Sequence, residues 1–290
     1  ALARAITAVE NRTPESLPLL RALFPHSGKA RIIGLTGAPG AGKSTLVDQL
    51  AREYRKQGNT LGIIAVDPTS PFSGGAILGD RIRLDEIAQS GDLYMRSLAS
   101  RTRADGLTDN LPELLHAMEA AGFEEILLET VGVGQVEHAV RSQVDTLVLV
   151  LMPGTGDSVQ AMKAGLMELA DILVVNKADL AGTAQLVAEI KRVQQITAAS
   201  LNWRPPVIQT TKDDLSSFEV LSETIDRHQQ WLQENPTSSP PNGARARYRL
   251  KVLLERRIAE LVATLDDEFW RNPLPTQFDL AVAQLGANRR

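Results

Sequence analysis

The sequence predicts an α/β fold: a mostly parallel, doubly wound sheet built on a phosphate-binding loop, with an N-terminal helical segment and a C-terminal helical extension. Three observations predict it. Short Ile/Leu/Val-rich runs alternate with helical stretches from about Arg31 to Trp231, the pattern of βαβ units around a parallel sheet. The first of those runs leads directly into a glycine-rich loop that opens a helix. The runs also lack regular polar alternation, as strands covered on both faces do.

In chain order, the first 30 residues read as helical. Leu2, Ile6 and Val9 fall on one face, and Thr13-Pro14 is an N-cap followed by a first-turn proline. Strands are expected at Arg31–Thr36, Thr60–Asp67, Glu124–Glu129, Thr146–Met152, Ile172–Asn176 and Val207–Thr210. Helices are expected between them at Lys43–Gln57, Asp80–Gln89, Leu107–Ala121, Ser158–Leu169 and Thr183–Ala198, and after them at Leu215–Gln233. Right-handed crossovers gather the loops that follow the strands at one sheet edge. Asn235 to Gly243, rich in Pro, Ser and Asn, reads as a linker. Beyond it Leu250, Leu254, Ile258, Leu261 and Leu265 recur at helical spacing, a stripe that must be buried on its own domain or on a second copy. The expected division is a helical segment over 1–30, a phosphate-loop domain over 31–234, and a linker with a helical dimerisation extension over 235–290.

Composition narrows the function classes. The 290 residues contain no cysteine and carry a formal net charge of −4, which excludes a disulfide framework and thiolate metal sites. The mildly acidic balance lacks the broad positive field of a nucleic-acid binder. No run reaches the ~20 apolar residues of a membrane span, and ALARAITAVE is not a secretory signal pattern. The expected location is the cytoplasm, or the mitochondrial matrix if an upstream transit peptide has been removed.

Gly37-Ala38-Pro39-Gly40-Ala41-Gly42-Lys43-Ser44-Thr45 matches G-x-x-x-x-G-K-[ST], the phosphate-binding loop. Glycines let the backbone wrap a phosphate with its N–H groups inward, and the helix that follows adds the positive end of its dipole. Lys43 is expected to reach the β- and γ-phosphates, and Ser44 to offer its hydroxyl to Mg²⁺.

A second motif, Asn176-Lys177-Ala178-Asp179, follows an apolar strand. Guanine presents N1–H and an exocyclic amino group side by side, so the two oxygens of Asp179 can accept both. Adenine has an acceptor in place of that N1–H, and a site left with such a group unpaired rejects the analogue by ~10⁴. Lys177 can lay its stem along the base while Asn176 braces the loop. Thr210, Thr211 and Lys212 follow the next strand, where the pocket closes over the base. An isolated N-K-x-D is more often a solvated helix start, and its position after a phosphate loop reverses those odds. The pair of motifs makes the fold class a P-loop GTPase with GTP and GDP as ligands.

Asp67 and Glu129 each end a strand at the nucleotide edge, where carboxylates converge on Mg²⁺ near Ser44, directly or through water. Gly132, three residues after Glu129, can give its N–H to a γ-phosphate, a hydrogen bond that ends when hydrolysis removes that group. Arg81, Arg83, Arg101 and Arg103 are equivalent candidates for stabilising transition-state charge, and Gln135 lies three residues past Gly132 rather than beside it, so the water-orienting residue stays open.

GAPGAGKST, VDPTSP, LGDR, ETVGVGQ, PGTGD and NKAD, in that order, resemble the MeaB/ArgK group of G-protein chaperones for cobalamin-dependent acyl-CoA mutases. The resemblance covers about residues 1 to 232. It implies GTP hydrolysis accelerated by a bound mutase and a nucleotide cycle that gates adenosylcobalamin loading or protects the mutase. It also implies a homodimer formed by the C-terminal arm. Carried residue by residue, it places Lys43, Ser44, Asp67, Asp80, Glu129 and Asp179 at phosphate, magnesium, switch and base positions, and Lys163 in a partner-responsive loop. Two segments depart from the pattern: Gln209 to Ser217 has no glycine-rich base-closing loop, and the tail carries an unusual Arg245–Lys251 run. Two alternatives stand beside this one, a metallocentre-insertion GTPase and a small-metabolite kinase. The first is weakened by the missing cysteines and histidine cluster, the second by the missing acceptor domain.

Overall fold

The structure, a computed structural model, describes residues 1–68, 92–100, 110–130, 139–156, 165–197, 202–236 and 244–287. The chain divides into two compact units, Ala1–Asn242 and Gly243–Arg290.

The first unit is built on seven parallel strands: β1 Arg31–Gly37, β2 Leu61–Pro68, β3 Leu93–Ser100, β4 Glu125–Thr130, β5 Thr146–Leu151, β6 Ile172–Asn176 and β7 Val207–Thr210. Their order is β3-β2-β4-β1-β5-β6-β7. The chain runs from β1 out to β2 and β3, returns to insert β4 between β2 and β1, and then crosses to β5, β6 and β7 on the other side, so the C-terminal end of β1 is the switch point where ligands of doubly wound sheets bind. Every residue of β4, β5 and β6 is buried, which is why no polar alternation shows in their sequences.

Six of these strands match the expected runs within a residue or two; β3 is an addition. Among the described residues it pairs with β2 alone, at the sheet edge, so its sequence LYMRSLAS tolerates a central Arg96. The Nε of that arginine donates to Glu10 Oε2 at 3.0 Å, tying the edge to α1 (Leu2–Glu10). Ile6 and Val9 of α1 are buried, and Asn110 Nδ2 donates to the Val9 and Glu10 carbonyls at 3.2 and 3.0 Å. The N-terminal segment, with α2 (Ser16–Leu23), thus packs on the sheet unit beside α4 (Leu111–Ala120).

One face of the sheet is covered by α3 (Lys43–Lys56) and α7 (Ser216–Glu234). Leu46, Val47, Leu50, Phe218, Leu221 and Ile225 meet Leu35, Ile63, Leu127, Val148 and Val174 there. Alternate residues of the same strands, Leu149, Leu151, Leu173 and Val175, meet α5 (Leu166–Leu169) and α6 (Thr183–Thr197). That two-residue alternation puts the two clusters on opposite faces, and each fully buried Leu or Ile contributes about 1.5–3 kcal/mol. The expected single helix Ser158–Leu169 is interrupted at Gly165, whose left-handed φ of +72° makes it the N-cap from which α5 starts at Leu166; residues 158–164 of it and the expected helix Asp80–Gln89 lie outside the described residues.

Polar contacts fasten α7 at the strand N-terminal ends. Arg31 bonds Glu125 and reaches Asp226 of α7 at 2.8 Å. Gln229 Nε2 donates to Thr146 Oγ1 at 2.7 Å, and Thr146 lies 2.9 Å from His228 Nδ1. Burial, with Arg141 nearby, depresses His228 to about 4, so this ring is neutral at pH 7. Burial also pushes Asp171 up to about 6, against the pull of Arg141 and the Leu147 N–H.

In the second unit, α8 (Ala244–Thr264), α9 (Asp267–Trp270) and α10 (Leu274–Ala287) follow in order. Asp266 Oδ1 caps α9 by accepting from Phe269 N at 2.9 Å. Leu250, Leu254 and Ile258 of the apolar stripe are about half exposed, at 58, 54 and 47%. Leu265 lies just beyond α8.

Glu125 gives this fold a pH dependence. Its side chain is 1% exposed, and burial lifts its carboxyl to about 7 against the opposing pull of Arg31. A carboxyl whose pKa rises on folding contributes stability that is complete below its ordinary value and lost as pH climbs through the folded value. Urea unfolding at pH 6.5 and 8.5 is therefore expected to show a lower midpoint at the higher pH. Glu125→Gln, which cannot ionise, is expected to flatten that difference; an unchanged difference would contradict the assignment.

Candidate functional site

The site begins where β1 runs out. Gly37 has φ +146°, and a Cβ there would stand 2.2 Å from the Val150 carbonyl oxygen of β5. Only glycine lets the chain leave the strand so close to its neighbour. Gly42 has φ +92°, and a Cβ there would stand 2.2 Å from Asn176 Nδ2. Immediately after it α3 starts at Lys43, leaving its first-turn N–H groups without helical partners, as an anion site requires.

Lys43 is 5% exposed. Its Nζ donates to the Gly37 and Ala38 carbonyls at 2.7 and 3.0 Å, which holds the ammonium over the loop. Ser44 Oγ donates to Glu129 Oε1 at 2.7 Å, and Glu129 is 8% exposed at the end of β4. These are two hard oxygen donors at nearly the spacing of adjacent ligands in an octahedral Mg²⁺ shell, about 3 Å for bonds of 2.0–2.1 Å. The donor set suits that ion. Asp67, next to the last residue of β2, lies near the same edge, since β2 and β4 run side by side with Ala65 opposite Glu129. Among the described residues, no group of three or more His, Cys, Asp or Glu forms a further metal site.

The second motif comes to the same edge because β6 is two strands from β1. Asn176, 5% exposed, donates from Nδ2 to the Ala41 carbonyl at 2.8 Å and accepts from Thr210 Oγ1 at 3.0 Å. Lys177, held at φ +56°, donates from Nζ to the Gly40 carbonyl at 2.9 Å. A non-glycine residue in that conformation is held there by its surroundings. The Ala178 N–H donates to Thr210 O at 3.0 Å. Thr211 Oγ1 donates to Asp179 Oδ1 at 2.9 Å, and Lys212 is exposed on the same loop.

The structure thus brings Lys43, Ser44 and Glu129 together, joins Asn176 and Lys177 to the loop Gly37–Thr45, and sets Asp179 against Thr211. Asp80 and Gly132 lie outside the described residues, as do Gln135, Lys163 and the four candidate arginines. The sequence did not single out Asp214 and Ser217, which shape the loop carrying Thr211. Their signal was the run Asp214-Leu215-Ser216-Ser217, a short-polar helix start.

The family model described as "Methylmalonyl Co-A mutase-associated GTPase MeaB" matches residues 2–267. The chain belongs to the MeaB family. A putative GTPase of Pyrococcus abyssi is 41% identical over 268 residues, 91% of this chain and 79% of that protein. The mouse methylmalonic aciduria type A homolog, mitochondrial, is 34% identical over 246 residues, 77% of this chain and 58% of that protein. Among solved structures, an LAO/AO transport system kinase is 27% identical with a TM-score of 0.66, covering 99% of this chain and 91% of that one. This MeaB-family protein is a P-loop GTPase that binds GTP and GDP. No described helix is long and apolar enough to cross a membrane.

Thr210 tests the joint between the two loops. It is fully buried, so Thr210→Val keeps the shape but leaves Asn176 Oδ1 without that donor, at a cost of about 1–3 kcal/mol. The expected result is a melting temperature lower by several degrees together with weaker GDP binding. A wild-type melting curve and wild-type affinity would contradict the role given to this contact.

Proposed function

We propose that this protein hydrolyses GTP with Mg²⁺ and uses the nucleotide cycle to chaperone an adenosylcobalamin-dependent acyl-CoA mutase, methylmalonyl-CoA mutase first among candidates. The observation that carries the nucleotide part is the direct bonding of Asn176 and Lys177 to the Ala41 and Gly40 carbonyls. It fixes the distance between a triphosphate grip and a base reader. The family description, with the mouse relative's name, supports the mutase part.

In this reading Gly37–Thr45 wraps the β- and γ-phosphates through backbone N–H groups, and the Lys43 ammonium, already poised over the loop, neutralises the charge that develops on the transferred group. Ser44, Glu129, Asp67 and Asp80 would hold Mg²⁺, which when bound neutralises triphosphate charge. Asp179 accepts from guanine N1–H and its amino group, with Lys177 along the base and Thr210, Thr211 and Lys212 closing over it. The Gly132 N–H meets the γ-phosphate, so that hydrolysis releases the segment around it. The helical extension over 235–290 pairs two copies through the exposed Leu250–Ile258 stripe. The protein works in the cytoplasm, or in the mitochondrial matrix if an upstream transit peptide has been removed, and the mouse relative's name describes that protein as mitochondrial.

The kinase title of the solved relative supports a second reading, phosphoryl transfer to a small acceptor. Labelled GTP separates the two: inorganic phosphate is the expected product, and a labelled small molecule from a metabolite pool would establish the second reading instead. Lys43→Ala is expected to lower kcat by about 10²–10³-fold, and a chelator is expected to stop turnover. Full activity in either case would remove the proposed chemistry. Purified methylmalonyl-CoA mutase is expected to co-elute with the protein in a GTP-dependent manner and to raise its turnover; no binding in the GTP, GDP or nucleotide-free state would remove the client.

A further inference from the structure

The run Gln209–Ser217 lacks the glycine-rich closing loop expected of such a site, yet Thr211 still reaches Asp179. We infer that Ser217 and Asp214, at the start of α7, are positioning residues that aim the base-reading carboxylate of Asp179 through Thr211. The inference rests on the guanine-reading role proposed for Asp179.

Contacts within seven residues of chain carry it. Thr211 and Asp214 pair as an isolated antiparallel bridge, with the Asp214 N–H donating to Thr211 O at 3.1 Å. On the other side of that small ring Ser217 supplies the acceptor: the Thr211 N–H donates to Ser217 Oγ at 3.5 Å, and the same hydroxyl donates to Asp214 O at 2.5 Å. Ser217 therefore spans both ends of the turn, and it is 8% exposed. Asp214 fixes the turn to the helix, its Oδ1 accepting from Ser216 N at 3.1 Å and Ser216 Oγ at 2.6 Å. This local side-chain bonding does what a glycine turn does by backbone freedom.

The far end of α7 is immobilised separately, by Asp226 on Arg31 and by Gln229 and His228 on Thr146. The turn is thus built on a helix anchored to the sheet. A hydroxyl aimed from that turn leaves Thr211 Oγ1 2.9 Å from Asp179 Oδ1, so one carboxylate oxygen has a fixed direction before any base arrives. Guanine needs both oxygens aligned, for N1–H and the amino group. Hypoxanthine lacks the amino group and needs only one.

That difference supplies a test that a general loss of structure would not pass. Affinities for guanosine and inosine diphosphates are measured by titration calorimetry on the full chain for wild type, Ser217→Ala, Ser217→Thr and Asp214→Ala. The expected result is about a fivefold loss of GDP affinity in Ser217→Ala, the scale of one hydrogen bond, with a smaller loss for IDP. The GDP/IDP ratio then shrinks, and Ser217→Thr, which keeps the hydroxyl, restores it. Asp214→Ala is expected to shrink the ratio too, and keeps the inference testable if the serine variant fails to fold. Equal losses for both nucleotides, or none, would overturn it. Asp179→Ala separates the two layers: if it leaves the ratio unchanged, the base-reading role itself fails, whereas a collapsed ratio there with wild-type ratios in the α7 variants sinks the positioning role alone.

Discussion

The site depends on one buried amide. Asn176 donates to a phosphate-loop carbonyl and accepts from Thr210, so three chain segments share a single side chain that has little room to turn. A buried amide satisfied at both ends is rigid because either group, left unpaired, costs about 1–3 kcal/mol. Gly42 completes the constraint from the other side: any side chain there would occupy the space of the Asn176 amide. The spacing between the phosphate loop at Ala41 and the strand end at Asn176 is thereby a property of the folded chain, set before a ligand binds.

The sheet makes that bonding possible. β1, β5 and β6 are adjacent and parallel, so the loops leaving them emerge together at one edge, where β4 also delivers Glu129. The opposite edge carries the structural polar groups, among them Arg31, Glu125, Thr146, Asp171 and His228. Burial shifts the protonation of Glu125, Asp171 and His228, yet none of the three faces the nucleotide edge. The chain thereby separates the two ends of its sheet, with α7 spanning both: the first turn shapes the loop that carries Thr211 and the latter half bonds the strand starts.

Much of this was legible in the residues because the pattern and the cause coincide. A phosphate loop needs glycine where φ is positive and lysine where the helix starts, and both are visible as letters. β4 to β6 are buried on both faces, so unbroken Ile, Leu and Val runs announced them. The edge strand Leu93–Ser100 did not stand out, because one free edge permits Arg96 to point at Glu10 and interrupt the apolar run. Asp214 and Ser217 were equally hidden: a serine at a helix start is ordinary, and its value lies in Thr211, six residues earlier, to which only the folded turn connects it. The C-terminal stripe was legible as a helix face, but the second unit leaves Leu250 and Leu254 about half exposed, and no periodicity names what covers them.

A single guanine nucleotide spanning both loops is the ligand this geometry calls for. A crystal structure of the full chain with GDP and Mg²⁺ is the most direct measurement of it. The expected density places the β-phosphate within hydrogen-bond reach of the Lys43 ammonium and both Asp179 carboxylate oxygens on the guanine edge, with the Asn176 bond to Ala41 unchanged. Phosphates in the loop with the base turned away from Asp179 would contradict it.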